Sequence, residues 1–240
     1  MNNKTRIVFI SGMFAGGWIW EKVLTTFPND QYEVKVINQP LGEIGSSIDS
    51  LLDFVNRNFI DNYSGKVILV GNSLGSLIAL KLALKPNNNV IGCVLSGSPG
   101  MENINLGIGK PKPDEAWLSE LSKKIFVDQT IVTDDAKQAV FNFFSNRNYF
   151  RNIISLTRET NTYHVVDDLA KIPYSTYLLW GEKDQITPVA PWNDAVKKLD
   201  NCFLYTLKDC GHSPMYEKPN EFNILLMEAF SKLEKADNNA

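Results

Sequence analysis

A chain of 240 residues with 44% apolar and 21% charged side chains can bury one sizeable core, and its composition lies outside the disordered and fibrous classes. A net charge of -3 and a pI near 5.5 lack the basic footprint that holds a nucleic-acid backbone, so nucleic acid is excluded as an expected partner. No apolar run approaches the roughly 18 residues that a membrane-spanning helix needs, and the first residues lead straight into a strand-sized run; no membrane insertion or secretion is expected.

The first ninety-odd residues alternate between β-branched runs and segments of helical spacing. Strands are predicted over 6–10, 33–37, 67–70 and 90–95. Between them, Ile48, Leu51, Leu52, Val55 and Phe59 fall on one helical face, as do Leu77, Ile78, Leu80 and Leu84. This rhythm predicts right-handed βαβ units and a mainly parallel sheet with helices on both faces.

The rhythm breaks after Leu95-Ser96-Gly97-Ser98-Pro99-Gly100. Lys110-Pro111-Lys112-Pro113-Asp114 is a breaker stretch, and the next sixty residues are helical in pattern without strands. We read 1–97 and 174–240 as the core and 98–173 as an inserted helical cap. The cap carries Trp117, Phe126, Phe141, Phe143, Phe144, Tyr149 and Phe150; aromatic stripes usually serve packing, but together these rings suggest an apolar pocket roof. Strands resume over 176–180 and 202–207, with helices near 189–199 and 219–235 and a polar, frayed tail over 237–240. The three cysteines, Cys93, Cys202 and Cys210, are odd in number and irregular in spacing. They fit a reducing cytoplasm and no structural zinc site, and Cys93 in its apolar run reads as a small buried hydrophobe.

Gly71-Asn72-Ser73-Leu74-Gly75 fits G-x-S-x-G between a strand and an amphipathic helix, where a strained turn lifts the serine hydroxyl above the sheet. The bland alternative is a helix-capping serine in a tight turn. A serine nucleophile needs a base, and the chain holds two histidines. His212 follows the last predicted strand, at the carboxyl edge where Ser73 also stands. His164, near the end of the cap, reads as a surface or packing residue. Asp184, in the loop after the strand ending at Trp180, can orient His212. Alone it would pass for a turn aspartate, but the order Ser73, Asp184, His212 is that of a serine–acid–histidine triad on this topology. Asp209 is the rival acid, but it shares one short stretch of backbone with His212. The oxyanion would take backbone N–H groups from Leu74 and, in the glycine-rich loop after the first strand, from Met13. A pocket is expected from Phe14, Trp18, Phe126, Phe143, Phe144 and Met215. No residues show metal-ligand spacing.

With these stations in place, the chain resembles the α/β-hydrolase superfamily, through Gly71 to Gly75, Trp180 to Pro188 and Gly211 to Pro219. The segments Ser11 to Trp20 and Gly211 to Met215 look like the oxyanion and histidine loops of its small esterases. The resemblance implies the α/β-hydrolase fold with about six strands, a central nucleophile strand, an inserted cap and no cofactor. Two positions depart from the usual pattern: Ser11 replaces a histidine, and Ser76 stands where many members have glycine.

The expected function is hydrolysis of a small or medium, largely apolar carboxylic ester or thioester through an acyl-enzyme, with a small molecule as partner. The same triad would serve carbon–carbon bond hydrolysis or acyl transfer, and a non-catalytic ligand-binding receptor on this fold is the reading from another class.

Overall fold

The computed structural model describes residues 4–28, 30–85, 89–106 and 114–238, apart from the side chains of Asp135, Ala136, Ala139, Phe143 and Ser145. The expectations for Phe143 and for Lys110 to Pro113 therefore lie outside the described residues.

Six strands, β1 (Thr5–Ile10), β2 (Tyr32–Val36), β3 (Val67–Asn72), β4 (Val90–Ser96), β5 (Thr176–Gly181) and β6 (Cys202–Leu207), form one sheet in the order β2-β1-β3-β4-β5-β6. Every pairing is parallel. The chain has the α/β-hydrolase fold. The apolar runs are continuous because both faces are covered: along β1, Ile7 and Phe9 face one layer while Val8 and Ile10 face the other. Along β5, Tyr177 and Leu179 alternate in the same way with Leu178 and Trp180.

The helices are α1 (Glu21–Leu24), α2 (Leu41–Ile44), α3 (Ile48–Val55), α4 (Leu74–Ala83), α5 (Glu115–Ile125), α6 (Asp134–Ser145), α7 (Arg147–Thr160), α8 (Val166–Leu169), α9 (Val189–Val196), α10 (Pro214–Glu217) and α11 (Pro219–Asn238). Helices α3, α4 and α9 cover one face of the sheet, and α1 and α11 the other. Between β4 and β5 the described chain is helical, α5 to α8, and holds no strand. There are two local differences from the sequence reading. The helical spacing over 48–59 continues as a π-helical turn, Asn56–Ile60, which brings Ile60 into the core. The tail is helical to Asn238, where Lys66 pairs with Asp237 at 2.5 Å and donates to Asn238 Oδ1.

The sheet's register delivers the site. Ile10 pairs with Gly71, and Gly71 with Leu95, so the loops after β1, β3 and β4 leave the carboxyl edge side by side. Gly181 pairs with Leu207, which sets the loops after β5 and β6 next to each other. Helix α11 holds this arrangement from below: a Cβ at Gly92 of β4 would meet Leu233 Cδ2 at 2.4 Å. Leu233 is fully buried, so Leu233→Ala is expected to lower the unfolding free energy by about 2–5 kcal/mol. A urea titration that gave less than 1 kcal/mol would mean that α11 does not anchor β4.

Candidate active site

Ser73 adopts φ 57°, ψ −126°, outside the helical and extended regions. Such a backbone costs on the order of 1–3 kcal/mol and persists only where its surroundings impose it. Those surroundings are visible. Ser73 N–H donates to Ser96 O at 2.8 Å. A Cβ on Gly71 would lie 2.5 Å from Gly75 O, and one on Gly75 would lie 2.2 Å from Ile10 O. The two glycines of the motif are therefore required by close approach on each side of the serine. Ser76 Oγ donates to Ser96 O and accepts Ser96 N–H, both at 2.9 Å, so this departure from the usual glycine ties α4 to β4.

The other half of the site is the pair Asp184–His212, joined at 2.8 Å between Oδ2 and Nδ1 with both side chains buried. Asp184 Oδ1 accepts the N–H groups of Ile186 and Thr187, each at 2.9 Å, and Oδ2 also accepts the Thr187 hydroxyl at 2.8 Å. A carboxylate can only accept, so Nδ1 of His212 carries the proton and Nε2 keeps a lone pair. The imidazole is confined from behind by Gly97: at φ +59° it has no side chain, and a Cβ there would lie 2.7 Å from His212 Cε1. The main chain of His212 is held at both ends, its N–H donating to Ile125 O at 2.7 Å and its carbonyl accepting Asn72 Nδ2 at 3.1 Å. Ser73 and His212 line one cavity.

Asp209 is elsewhere. It is largely exposed, at φ 49°, and pairs with Lys183 at 2.5 Å, which holds its carboxyl below the usual range. His164 is exposed and lines no part of this cavity.

In the loop after β1, Gly12 O accepts Leu41 N–H at 3.2 Å. A trans peptide points its C=O and N–H in opposite directions, so Met13 N–H faces away from Leu41. Gly12 lies against the serine, since a Cβ on it would sit 3.0 Å from Ser73 Cβ. Among the described residues neither Met13 N–H nor Leu74 N–H is spent on a backbone acceptor, and both residues line the cavity. Ser11, in place of the usual histidine, braces this loop by donating to Gly16 O at 2.8 Å and accepting Trp20 Nε1–H at 3.0 Å.

The cavity encloses about 770 Å³ including its open mouth. Phe14, Trp18 and Phe126 are in its wall, with Leu106, Leu121, Ile125, Val140 and Ile186. Two expected pocket residues are not. Phe144 packs behind Phe14, with ring centres 5.5 Å apart, and also against Trp117 and Tyr149. Met215 is fully buried in the α1–α11 layer, because Pro214 starts α10 and turns the next side chain under the sheet. Sequence reasoning missed Asn72, Gly97 and Thr187, and took Tyr149 only as one ring of an apolar roof rather than as a partner of the Met13 carbonyl. Thr187 had a usable signal: an aspartate followed three residues on by threonine before proline suits an Asx-type turn.

A family model described as the alpha/beta hydrolase family matches residues 7–223. The chain belongs to this family. It is 30% identical over 148 residues to monoacylglycerol lipase ABHD6 of Homo sapiens, covering 60% of this chain and 42% of that one. It is 26% identical over 177 residues to 2-hydroxy-6-oxo-6-phenylhexa-2,4-dienoate hydrolase of Burkholderia cepacia, covering 68% and 62%. The matches thus span under two thirds of these relatives' lengths. Among solved structures, an esterase from Exiguobacterium antarcticum superposes with a TM-score of 0.76 at 17% identity, covering 98% of this chain and 93% of that one. The relatives that the chain matches thus include, by name, a lipase and a dienoate hydrolase.

An amide at position 184 would present N–H to the ring and favour the tautomer with its proton on Nε2. Asp184→Asn is expected to lower kcat by about 10³–10⁴-fold with the fold retained, while Asp209→Asn keeps most of the activity. Steady-state kinetics on the two variants, with circular dichroism, would reverse the assignment of the acid if the order were opposite.

Proposed function

We propose that this chain is a serine hydrolase that cleaves small or medium, neutral and largely apolar carboxylic esters or thioesters. Ser73 Oγ attacks the carbonyl carbon while His212 Nε2 takes its proton, and Asp184 stabilises the imidazolium that results. The tetrahedral oxyanion receives hydrogen bonds from the N–H groups of Met13 and Leu74, next to the positive end of α4. His212 returns the proton to the leaving oxygen or sulfur, and an acyl-Ser73 ester remains. Water, activated by the same imidazole, then releases the acid.

The observation that carries the substrate class is the cavity wall: among the described residues no charged side chain lines it, and its polar groups are those of Asn72, Ser73, Thr160, His212 and Ser213. The dienoate in the name of the Burkholderia cepacia relative is an anion. Moving an isolated carboxylate into such a wall without a cationic partner is costly, which favours a neutral acyl group over that chemistry here. Three unpaired, buried cysteines suit a cytoplasmic setting.

A fluorophosphonate probe is expected to label Ser73, and Ser73→Ala to abolish labelling and turnover without unfolding; mass spectrometry that placed the label on another serine would overturn the nucleophile. In a p-nitrophenyl ester series, kcat/KM should rise from acetyl to a medium alkyl chain. It should then fall by at least about tenfold when the same chain ends in a carboxylate. A preference for the carboxylated chain would defeat the apolar reading.

A further inference from the structure

Helix α7 reaches the loop after β1 chiefly through one buried side chain. The Tyr149 hydroxyl donates to the main-chain carbonyl of Met13 at 2.7 Å, with Tyr149 only 3% exposed. Burial pushes the Tyr149 phenol upward, so it stays a donor. The same helix touches Met13 a second time, since Thr157 Oγ1 lies 3.7 Å from Met13 Sδ. It also seats on α2: Asn152 Nδ2 donates to Gly42 O at 3.0 Å, and a Cβ on Gly42 would meet Ile153 and Tyr149 within 3 Å.

The two peptide groups flanking the Met13 Cα are therefore held independently. The carbonyl before it accepts Leu41 N–H of α2, and the carbonyl after it accepts Tyr149 OH of α7. With both planes fixed, the direction of Met13 N–H has little freedom left. The preceding glycine would otherwise allow the Gly12–Met13 peptide to rotate. Ser11 braces the far end of the loop through Gly16 and Trp20 and makes no contact with the Met13 carbonyl among the described residues.

We infer that Tyr149 is a positioning residue for the oxyanion site: from the helical segment between β4 and β5 it fixes the Met13–Phe14 peptide, and with the Gly12–Met13 peptide already held by Leu41 this removes the freedom of the Met13 Cα and keeps Met13 N–H aimed at the developing charge. This role rests on the proposed reading of Met13 as an oxyanion donor. A group fixed in this way acts on the transition state more than on the bound ester, so its loss should appear in kcat.

The test compares Tyr149→Phe with Tyr174→Phe. Tyr174 is a matched control, because its hydroxyl donates to the main-chain Ala83 O at 2.9 Å away from the site. Rates are referred to fluorophosphonate-titrated Ser73, so a partly unfolded preparation still reports per folded site. Tyr149→Phe is expected to lower kcat on an apolar p-nitrophenyl ester by about tenfold with KM changed less than about twofold. The affinity for an alkyl trifluoromethyl ketone, which forms a tetrahedral oxyanion on the serine, should fall by the same factor. Tyr174→Phe should leave both values within about twofold. Unchanged kcat and ketone affinity in Tyr149→Phe, or equal losses in the two variants, would overturn this role while leaving the hydrolase reading intact. A wild-type chain whose Ser73 takes neither probe would overturn both.

Discussion

The backbone of Ser73 has to occupy a conformation that side chains disfavour, and much of the carboxyl edge is arranged around that requirement. Gly71 and Gly75 crowd the turn, so β1, β3 and α4 meet at distances that no Cβ would allow, and Gly12 is drawn close against Ser73. The crowding has a second effect: it brings the N–H-bearing loop after β1 onto the serine. Strain at one residue and the placement of the Met13 and Leu74 N–H groups beside it are thus the same geometric fact seen from two sides. The hydrogen bonds of Ser73 N–H and Ser76 Oγ to Ser96 then carry the constraint into β4, next to Gly97 and the imidazole.

The Asp184–His212 half is built differently, by saturation. Asp184 has each oxygen engaged, by two main-chain N–H groups on one side and by Thr187 and His212 on the other. A buried carboxylate supplied with that many donors has one way to sit, and it dictates the tautomer of its partner. Asp209 shows the contrast: three residues from His212 in sequence, it points to solvent and spends its charge on Lys183. Proximity along the chain is thus a poor guide to which carboxylate reaches a ring.

The inner strands were readable from sequence because a parallel sheet covered on both faces makes them unbroken apolar runs, and the edge strands β2 and β6, partly exposed, were readable as short runs bounded by turn residues. The serine, aspartate and histidine loops were readable for the same reason, since each follows such a run directly. The helical segment between β4 and β5 was less legible. Helical spacing tells which side chains share a face but not what that face meets, so Phe144 could be assigned to the cavity although it stands one layer behind Phe14. Met215 was misplaced because a one-turn helix, α10, inverts the direction expected from a loop. Tyr149 was legible only as one ring of the helical segment, and neither its hydroxyl partner nor that of Asn72 carried a signal, since both are main-chain atoms far away in sequence.

Glu217 ties the histidine loop to the end of α5. One of its carboxylate oxygens accepts Gly211 N–H at 2.7 Å, and the other accepts Val127 N–H at 2.7 Å and Asp128 N–H at 3.3 Å. Together with the bond from His212 N–H to Ile125 O, this makes the end of α5 and the histidine loop a single hydrogen-bonded unit. Such units open cooperatively, so the amides of Val127, Gly211 and His212 would exchange with solvent deuterium at a common rate, set by one opening event. The end of α5, which lines the cavity, and the loop that carries His212 would then share one local opening equilibrium.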